Sequence, residues 1–445
     1  MLYQFINEVY GQLRGYGRRM IRRQVLVNAR LSRDESDRIA TSLFHQRVRE
    51  AIGLFPAYAE KVRAYRGGLP GENEDIVPDE LPVWTRKDQN ALFNALVAPP
   101  IRGSFVHSTG GSTGVPTRFY VTRESYEWRM AVANRGYSWA GAEEGRRSYY
   151  IWGVPMKAPP FGDRFKKKLS NKLQRRRFFD SFLFGDDKKR KCCGEINRYM
   201  PESLVGYAGR LVELARFVEQ NPDALSWRAR TVVTAAEGLH HEDRELLARR
   251  LGDEVFMSYG SREFMLIGME CRHHGGYHIS SDNLLVEVVD ENGKSLPHGE
   301  PGRIVVTDLR NAANPFVRYE IGDLGVMARD ACPCGLPFPI LDRVEGRIQE
   351  VLHTTAGNTL TSLFVPHLMK EFEWVKGYQI IQEETNRIRV RLVCDALPAE
   401  KNLLPMIDQF RKTLGQDMII LFERTCELEA TANGKTPAVI VRMNR

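Results

Sequence analysis

The sequence predicts an α/β protein: a large N-terminal body followed by a small α+β domain, read from three patterns along its 445 residues. From about residue 101 to 345, short runs rich in β-branched and aromatic residues alternate with stretches of helical periodicity, the rhythm of layered α/β architecture. Between about 284 and 327 that rhythm gives way to strands alone. After Gly346 comes a last stretch of roughly 100 residues, the size of one small domain. The expected organisation is a helical section over 1–100, a core over 101–345 with mixed sheets and a small β subdomain, and a C-terminal unit over 346–445.

The elements follow in chain order. Ile39, Leu43, Val48, Ile52 and Phe55 recur at near-helical spacing. Pro78, Pro82 and the pair Pro99-Pro100 punctuate the end of this section. Phe119-Tyr120-Val121, Ser148 to Trp152 and Thr231 to Thr234 read as strands, with Leu211 to Glu219 and Asp243 to Leu251 as helices. Leu285 to Val289 and Arg303 to Val306 read as strands, and Asn292-Gly293 between them as a hairpin turn. In the last unit, Ile388 to Val393 alternates apolar and charged residues, the mark of a half-buried strand. A helix is expected over Pro405 to Leu414, with Pro near its start and Gly415 past its end, then a strand over Met418 to Phe422.

Composition narrows the class. Hydrophobic residues make up 42% and charged residues 27%, as in soluble globular proteins. No window approaches the roughly 18 consecutive apolar residues of a membrane span. Met1 to Val27 mixes apolar residues with Arg14, Arg18, Arg19, Arg22 and Arg23, which reads as an amphipathic helix rather than a secretory signal. Seven cysteines without an export signal imply a reducing compartment, hence a cytoplasmic location. The net charge of +8 is concentrated in Lys166 to Lys168, Arg175 to Arg177 and Lys188 to Lys191. This basic segment, 164–191, is either a solvated face or a surface for an anionic membrane or an acidic substrate. No nucleic-acid-binding motif accompanies it, which argues against nucleic acid as a partner.

Five segments carry the chemistry. Ser108-Thr109-Gly110-Gly111-Ser112-Thr113-Gly114-Val115-Pro116-Thr117 packs glycines and hydroxyls as a phosphate-cradling loop does, since bare N–H groups and hydroxyls together bind anions. It has neither the Gly-Lys-Ser/Thr of a Walker loop nor the glycine spacing of a dinucleotide fold. In Ser258-Tyr259-Gly260-Ser261-Arg262-Glu263 an aromatic ring at a strand end can stack on a purine, and the acid four positions on can bind Mg²⁺. Arg318 to Leu324 places Asp323 beside a glycine, where a carboxylate can accept ribose hydroxyls. Asp342 to Arg347 lies at the expected domain boundary, and Ala432-Asn433-Gly434-Lys435 sets a lysine behind a glycine turn. Taken singly, each has a plain reading as turn, core or linker.

In this order and spacing the five segments resemble the core motifs of the adenylate-forming superfamily of acyl-CoA ligases, adenylation domains and luciferases. The likeness is greater to the branch of phenylacetate-CoA ligases and their relatives from capsular polysaccharide gene clusters, where dimers occur. That branch also has a helical N-terminal section and stretches like Leu169 to Leu173, Phe178 to Phe182 and Leu204 to Tyr207. The resemblance implies an AMP-forming acid–thiol ligase that uses ATP and Mg²⁺. It activates a carboxylic acid as an acyl-adenylate, releases pyrophosphate and passes the acyl group to CoA. Transfer to an amine, a hydroxyl or a carrier protein is the alternative acceptor step, and a non-catalytic nucleotide-binding protein the second alternative. By the same resemblance, Ser108, Thr109, Gly110, Gly111, Ser112, Thr113 and Gly114 hold the β- and γ-phosphates. Ala236 and Glu237 lie beside the adenine, and Tyr259 packs against it. Glu263 binds Mg²⁺, Asp323 takes the ribose hydroxyls and Arg347 assists at the ribose or α-phosphate. Lys435 reaches in from the mobile C-terminal domain. Departures from the pattern are Gly110, Thr117, Arg262 and Gln349, and only the Gly434-Lys435 pair matches near the C-terminus. The acyl pocket is expected around Ala131 to Trp139, Trp152-Gly153-Val154, Ala235 and Ser258.

A further cluster has its own logic. Cys332-Pro333-Cys334 places two thiols on one turn, and a third cysteine with a histidine completes a tetrahedral zinc site. Cys271 and His278 are the expected partners, with His273 and His274 as rivals; four protein ligands make such a site structural. Relatives in this branch that look similar here bind zinc. Cys192, Cys193, Cys394 and Cys426 read as free thiols.

Overall fold

The computed structural model describes residues 16–109, 116–152, 168–181, 184–236, 238–239, 241–345, 351–356, 359–361, 364–369, 371–372, 374–426, 428–429 and 438–442. Helices α1 (Tyr16–Asn28), α2 (Arg33–Leu54), α3 (Pro56–Arg66) and α4 (Arg86–Ala95) open the chain, as the apolar periodicity predicts. Their boundaries follow from capping. Ser32 and Glu35 form a reciprocal box at the start of α2, and Thr85 and Asp88 do the same for α4, so Arg86 is the first residue inside that helix. Pro56 starts α3 and Gly67, at φ 80°, ends it.

The antiparallel pair β1 (Phe105–Ser108) and β2 (Arg118–Val121) follows, then α5 (Arg123–Trp139). The parallel section comprises β3 (Ser148–Trp152), β4 (Arg176–Asp180), α6 (Asp186–Tyr199), β5 (Ser203–Tyr207), α7 (Ala208–Gln220), β6 (Ala229–Ala235), α8 (His241–Arg250) and β7 (Gly252–Ser261). The antiparallel section comprises β8 (Met265–Met269), β9 (Tyr277–Ile279), β10 (Leu284–Val289), β11 (Pro301–Asp308), β12 (Tyr319–Met327) and β13 (Ile340–Glu345). All but the first pair join one 11-stranded sheet in the order β10-β11-β12-β13-β9-β8-β7-β6-β5-β3-β4. The C-terminal unit holds β14 (Val351–His353), β15 (Thr359–Thr361), α9 (Phe364–Met369), β16 (Gly377–Glu384), β17 (Arg387–Val393), α10 (Glu400–Leu414), β18 (Ile419–Arg424) and β19 (Val439–Val441). Its four-stranded sheet runs β18-β17-β16-β19.

One expectation needs correction, and two open readings are narrowed. The last helix begins at Glu400, so Pro405 lies inside it rather than near its start. The Gly-Asp pair at 322–323 lies within β12 and forms no turn. Part of the basic segment is ordered structure: Arg176 and Arg177 belong to strand β4, and Lys188 to Lys191 to helix α6.

Packing ties these parts together. Phe44, Val48 and Tyr58 of the N-terminal helices share one core with Phe119 of β2, Tyr319 of β12, and Phe264 and Phe316 from the connections between strands. A second core lies between the parallel strands and α6, α7 and α8, and a third fills the C-terminal unit. Helix α5 is held by two buried ion pairs: Arg129 to Asp308 at 2.6 Å, and Arg135 to both oxygens of Asp282 at 2.9 and 2.7 Å. Asn28 also donates to Asp282, linking α1 to the same carboxylate. Burial alone pushes the Asp282 carboxyl up, but Arg135 and Asn28 outweigh it and hold the group below its usual range.

Removing one partner of a buried pair strands the other charge. Arg135→Met is expected to lower unfolding free energy by about 3–5 kcal/mol, and Arg135→Met with Asp282→Leu to recover much of it. Urea denaturation checks this; an unchanged midpoint in the single variant would contradict it.

Candidate functional site

The site is set by one strand. β7 pairs in parallel with β6 as far as Thr234 and Met257, then antiparallel with β8 from Ser258 opposite Met269. Where a sheet changes its pairing, strand ends diverge and leave a crevice, the usual ligand position in α/β sheets. Ser258 Oγ donates to the Thr234 carbonyl at 2.9 Å, fixing the two strand ends. The register then shifts between Tyr259 and Gly260. A Cβ on Gly260 would lie 2.1 Å from the Met265 carbonyl oxygen, so only glycine fits. At the end of β6, Ala236 adopts φ 71°, a left-handed conformation that favours glycine and costs an alanine energy.

Charge gathers along this crevice. Tyr259 Oη donates to Asp323 Oδ2 at 2.9 Å, joining β7 to β12. Glu263, only 3% exposed, accepts a long hydrogen bond of 3.4 Å from the fully buried Tyr319 hydroxyl. Burial first, and Glu263 second, push the Tyr319 phenol well above its ordinary range. Arg86 answers these groups. Burial works against its charge, but Tyr319, Glu263 and Asp323 together outweigh that and hold its guanidinium above its ordinary value. Nothing in the sequence pattern singled out Arg86. Its only signal was the helix-start signature Thr85-x-x-Asp88, which placed it at a helix N-terminus without saying what it faced.

Arg86 reaches the site because the segment before it is stapled to β12. Trp84 N–H donates to the Arg318 carbonyl at 3.0 Å, and Glu320 N–H to the Trp84 carbonyl at 2.9 Å. Arg318 is itself fully buried: its guanidinium donates to the carbonyls of Leu81 and Gly293 and pairs with Asp79 and Glu287. The stem of the glycine loop is closed by one backbone bond and one bond to a hydroxyl. Thr109 N–H donates to the Thr117 carbonyl, and Thr117 N–H to Thr109 Oγ1, both at 2.9 Å. Thr117 also lies beside Tyr319, which brings the loop's stem to the Glu263 end of the crevice. Among the expected site residues, Ser108, Thr109, Ala236, Tyr259, Glu263 and Asp323 are therefore placed. Gly110, Gly111, Ser112, Thr113, Gly114, Glu237, Arg347 and Lys435 lie outside the described residues. Of the expected pocket residues, Trp152 stacks on Tyr207 with centroids 4.4 Å apart, and Tyr137 packs with Val205, Val233 and Phe256.

Three of the cysteines and one histidine come together in a second cluster. One ligand atom each from Cys271, His278, Cys332 and Cys334 lies within 4.8 Å of every other, with Cys271 and Cys332 sulfurs 3.6 Å apart and Cys334 Sγ 3.4 Å from His278 Nε2. Those separations suit the edges of a tetrahedron whose centre is roughly 2.0–2.3 Å from each ligand. Burial pushes the Cys271 thiol up to about 12 and lowers the His278 imidazole, keeping it neutral as a ligand must be. The rival His274 is engaged elsewhere: its Nδ1 is 3.0 Å from Arg244 Nη1 and 3.2 Å from Glu270 Oε2. His273 is not in the cluster.

Comparison with known proteins fits this geometry. Residues 352–442 match the model of the CapK C-terminal domain. The chain is 28% identical over 347 residues to the phenylacetate-coenzyme A ligase of Thermus thermophilus, covering 76% of this chain and 73% of that one. It is 22% identical over 389 residues to protein CapK of Staphylococcus aureus, covering 85% and 83%. Among solved structures, 2-hydroxyisobutyryl-CoA ligase in complex with 2-HIB-AMP and CoA superposes with a TM-score of 0.61 at 16% identity, covering 94% of this chain and 91% of that one.

Arg86→Met would leave Glu263 and Asp323 without the half-buried cation whose charge answers theirs. The expected loss is about 2–4 kcal/mol of stability by urea unfolding, partly restored when Glu263→Gln is added. Equal midpoints for wild type and Arg86→Met would contradict the charge balance.

Proposed function

We propose that this chain, a member of the adenylate-forming ligase superfamily in its phenylacetate-CoA ligase and CapK-like branch, activates a carboxylic acid with ATP and Mg²⁺. The acid becomes an acyl-adenylate with release of pyrophosphate, and CoA takes the acyl group. The observation that carries this reading is the meeting of the glycine-loop stem, the Tyr259–Asp323 hydrogen bond and buried Glu263 along the crevice where β7 changes partners.

The chemistry suits these residues. A carboxylate attacking a polyanionic phosphate is opposed by electrostatic repulsion, so groups that neutralise charge there lower the barrier. Glu263 would hold Mg²⁺, which supplies that neutralisation when bound. Tyr259 offers a ring face to the adenine while its hydroxyl orients Asp323 toward the ribose hydroxyls. The loop over 110–114 would cradle the β- and γ-phosphates, Ala236 and Glu237 flank the base, and Arg347 and Lys435 act at the α-phosphate. An apolar or aryl acid fits the aromatic side chains near Trp152, Tyr207 and Tyr137.

The Cys271, His278, Cys332 and Cys334 cluster would hold a structural zinc ion, since four protein ligands leave no open position. It would tie the β8–β9 turn to the 332–334 turn.

A pyrophosphate-release screen over aryl, fatty, amino and sugar acids tests the reading. Glu263→Gln and Lys435→Ala are each expected to lower turnover by about 10²–10³. An acyl-CoA identified by mass would fix the acceptor, and full turnover in both variants would overturn the site. For zinc, elemental analysis of the purified chain is expected to give about one ion, lost in Cys332→Ser/Cys334→Ser, with turnover within about threefold of wild type at temperatures where that variant stays folded.

A further inference from the structure

Glu270 is a buried carboxylate that the proposed chemistry does not use. It follows β8 directly, precedes Cys271 and is 3% exposed. Its two oxygens are spent on different elements. Oε2 accepts the Met257 N–H at 2.7 Å, and Oε1 accepts Arg244 Nη2 from α8 at 2.7 Å. The Glu270 N–H in turn donates to the Met257 carbonyl at 3.0 Å, so both main-chain groups of Met257 are bound to this one residue. Arg244 also donates through Nη1 to the Val255 carbonyl at 2.9 Å, and His274 closes the group with its ring 4.9 Å from Phe256.

The position of Met257 gives this arrangement its meaning. Met257 is the last β7 residue paired in parallel with β6, and Ser258 the first paired antiparallel with β8. A backbone N–H at such a change of partner has no regular ladder acceptor, and a buried one left unpaired is costly. The Glu270 side chain supplies that acceptor. It therefore fixes where β7 leaves the parallel sheet, and hence where Tyr259, two residues on, is presented to Asp323. Through Arg244 the same carboxylate holds α8, the helix that begins five residues after Ala236 on the opposite wall of the crevice.

We infer that Glu270 is a positioning residue for nucleotide binding: its carboxylate, paired with Arg244, sets the separation of the Ala236 wall from the Tyr259 strand end. This rests on the nucleotide site proposed above and adds a determinant that touches no substrate. The charge matters as well as the shape, because hydrogen bonds to an ionised group are about twice as strong as neutral ones. A glutamine keeps one acceptor for Met257 but loses the ion pair, whereas Arg244→Lys keeps a cation within reach.

Calorimetric titration with Mg²⁺–ATP, alongside thermal melts, tests this. Glu270→Gln and Arg244→Met are each expected to weaken ATP binding about tenfold, with the double variant no worse than either single. Arg244→Lys is expected to restore binding to within about threefold of wild type, which general destabilisation would not explain. Tyr259→Ala serves as the reference. If Tyr259→Ala weakens ATP binding while Glu270→Gln and Arg244→Met do not, the positioning role is wrong. Additive losses in the double variant, or losses that track melting temperature alone, overturn it equally. If none of the variants, Tyr259→Ala included, alters ATP binding, the nucleotide site itself is misplaced.

Discussion

Glu263 is buried and Asp323 half-buried along the same crevice, and the guanidinium of Arg86 offsets their charge. Burying carboxylates without a counter-charge would cost several kcal/mol each. The cation comes from a distant part of the chain. Helix α4 begins at Arg86 because Thr85 and Asp88 cap it, and the segment before it is bound through Trp84 to the backbone on both sides of Tyr319. The N-terminal helices thus do more than cover the sheet. They deliver the charge that lets the acidic end of the site exist before any ligand arrives, and a bound metal ion would later share that role.

The second requirement is geometric. A ten-residue strand joins the two halves of one sheet, parallel to β6 on one side and antiparallel to β8 on the other. Tyr259 and Glu263 sit just past this change of pairing, and local devices hold it: the Ser258 hydroxyl on Thr234, the tight passage at Gly260 and the carboxylate of Glu270. The sulfur-rich cluster begins at the residue after Glu270, so a brace on one side of β8 continues into the support of the crevice on the other.

Much of the fold was legible because periodicity reports burial. The strand over Ser148 to Trp152 emerged where expected, that over Ile388 to Val393 with its apolar residues buried, and the helix over Leu211 to Glu219 within a longer one. Where local propensity competed with tertiary packing, the pattern misled. Pro405 reads as a helix start, yet α10 begins five residues earlier, its apolar face buried through Leu403 and Met406. For Gly322-Asp323, where a ribose-binding carboxylate and plain turn chemistry are both open readings, the flanking residues are paired with β11 and β13 and the segment is strand. Of the site, residues with a distinctive neighbour could be picked out: Tyr259 before a glycine, Glu263 four positions on, Cys332 and Cys334 on a Pro/Gly turn. Arg86 and Glu270 could not, because their roles depend on partners such as Tyr319 and Met257 that are remote in sequence. The choice among three histidines was likewise a matter of tertiary geometry, settled where Glu270 and Arg244 engage His274.

Photolabelling with 8-azido-ATP followed by peptide mapping would show where the base sits. The expected adducts fall on the peptides spanning 235–239 and 258–263, and excess ATP suppresses them. Labelling that ATP suppresses but that falls elsewhere on the chain would mean that the nucleotide does not occupy the crevice beside β7.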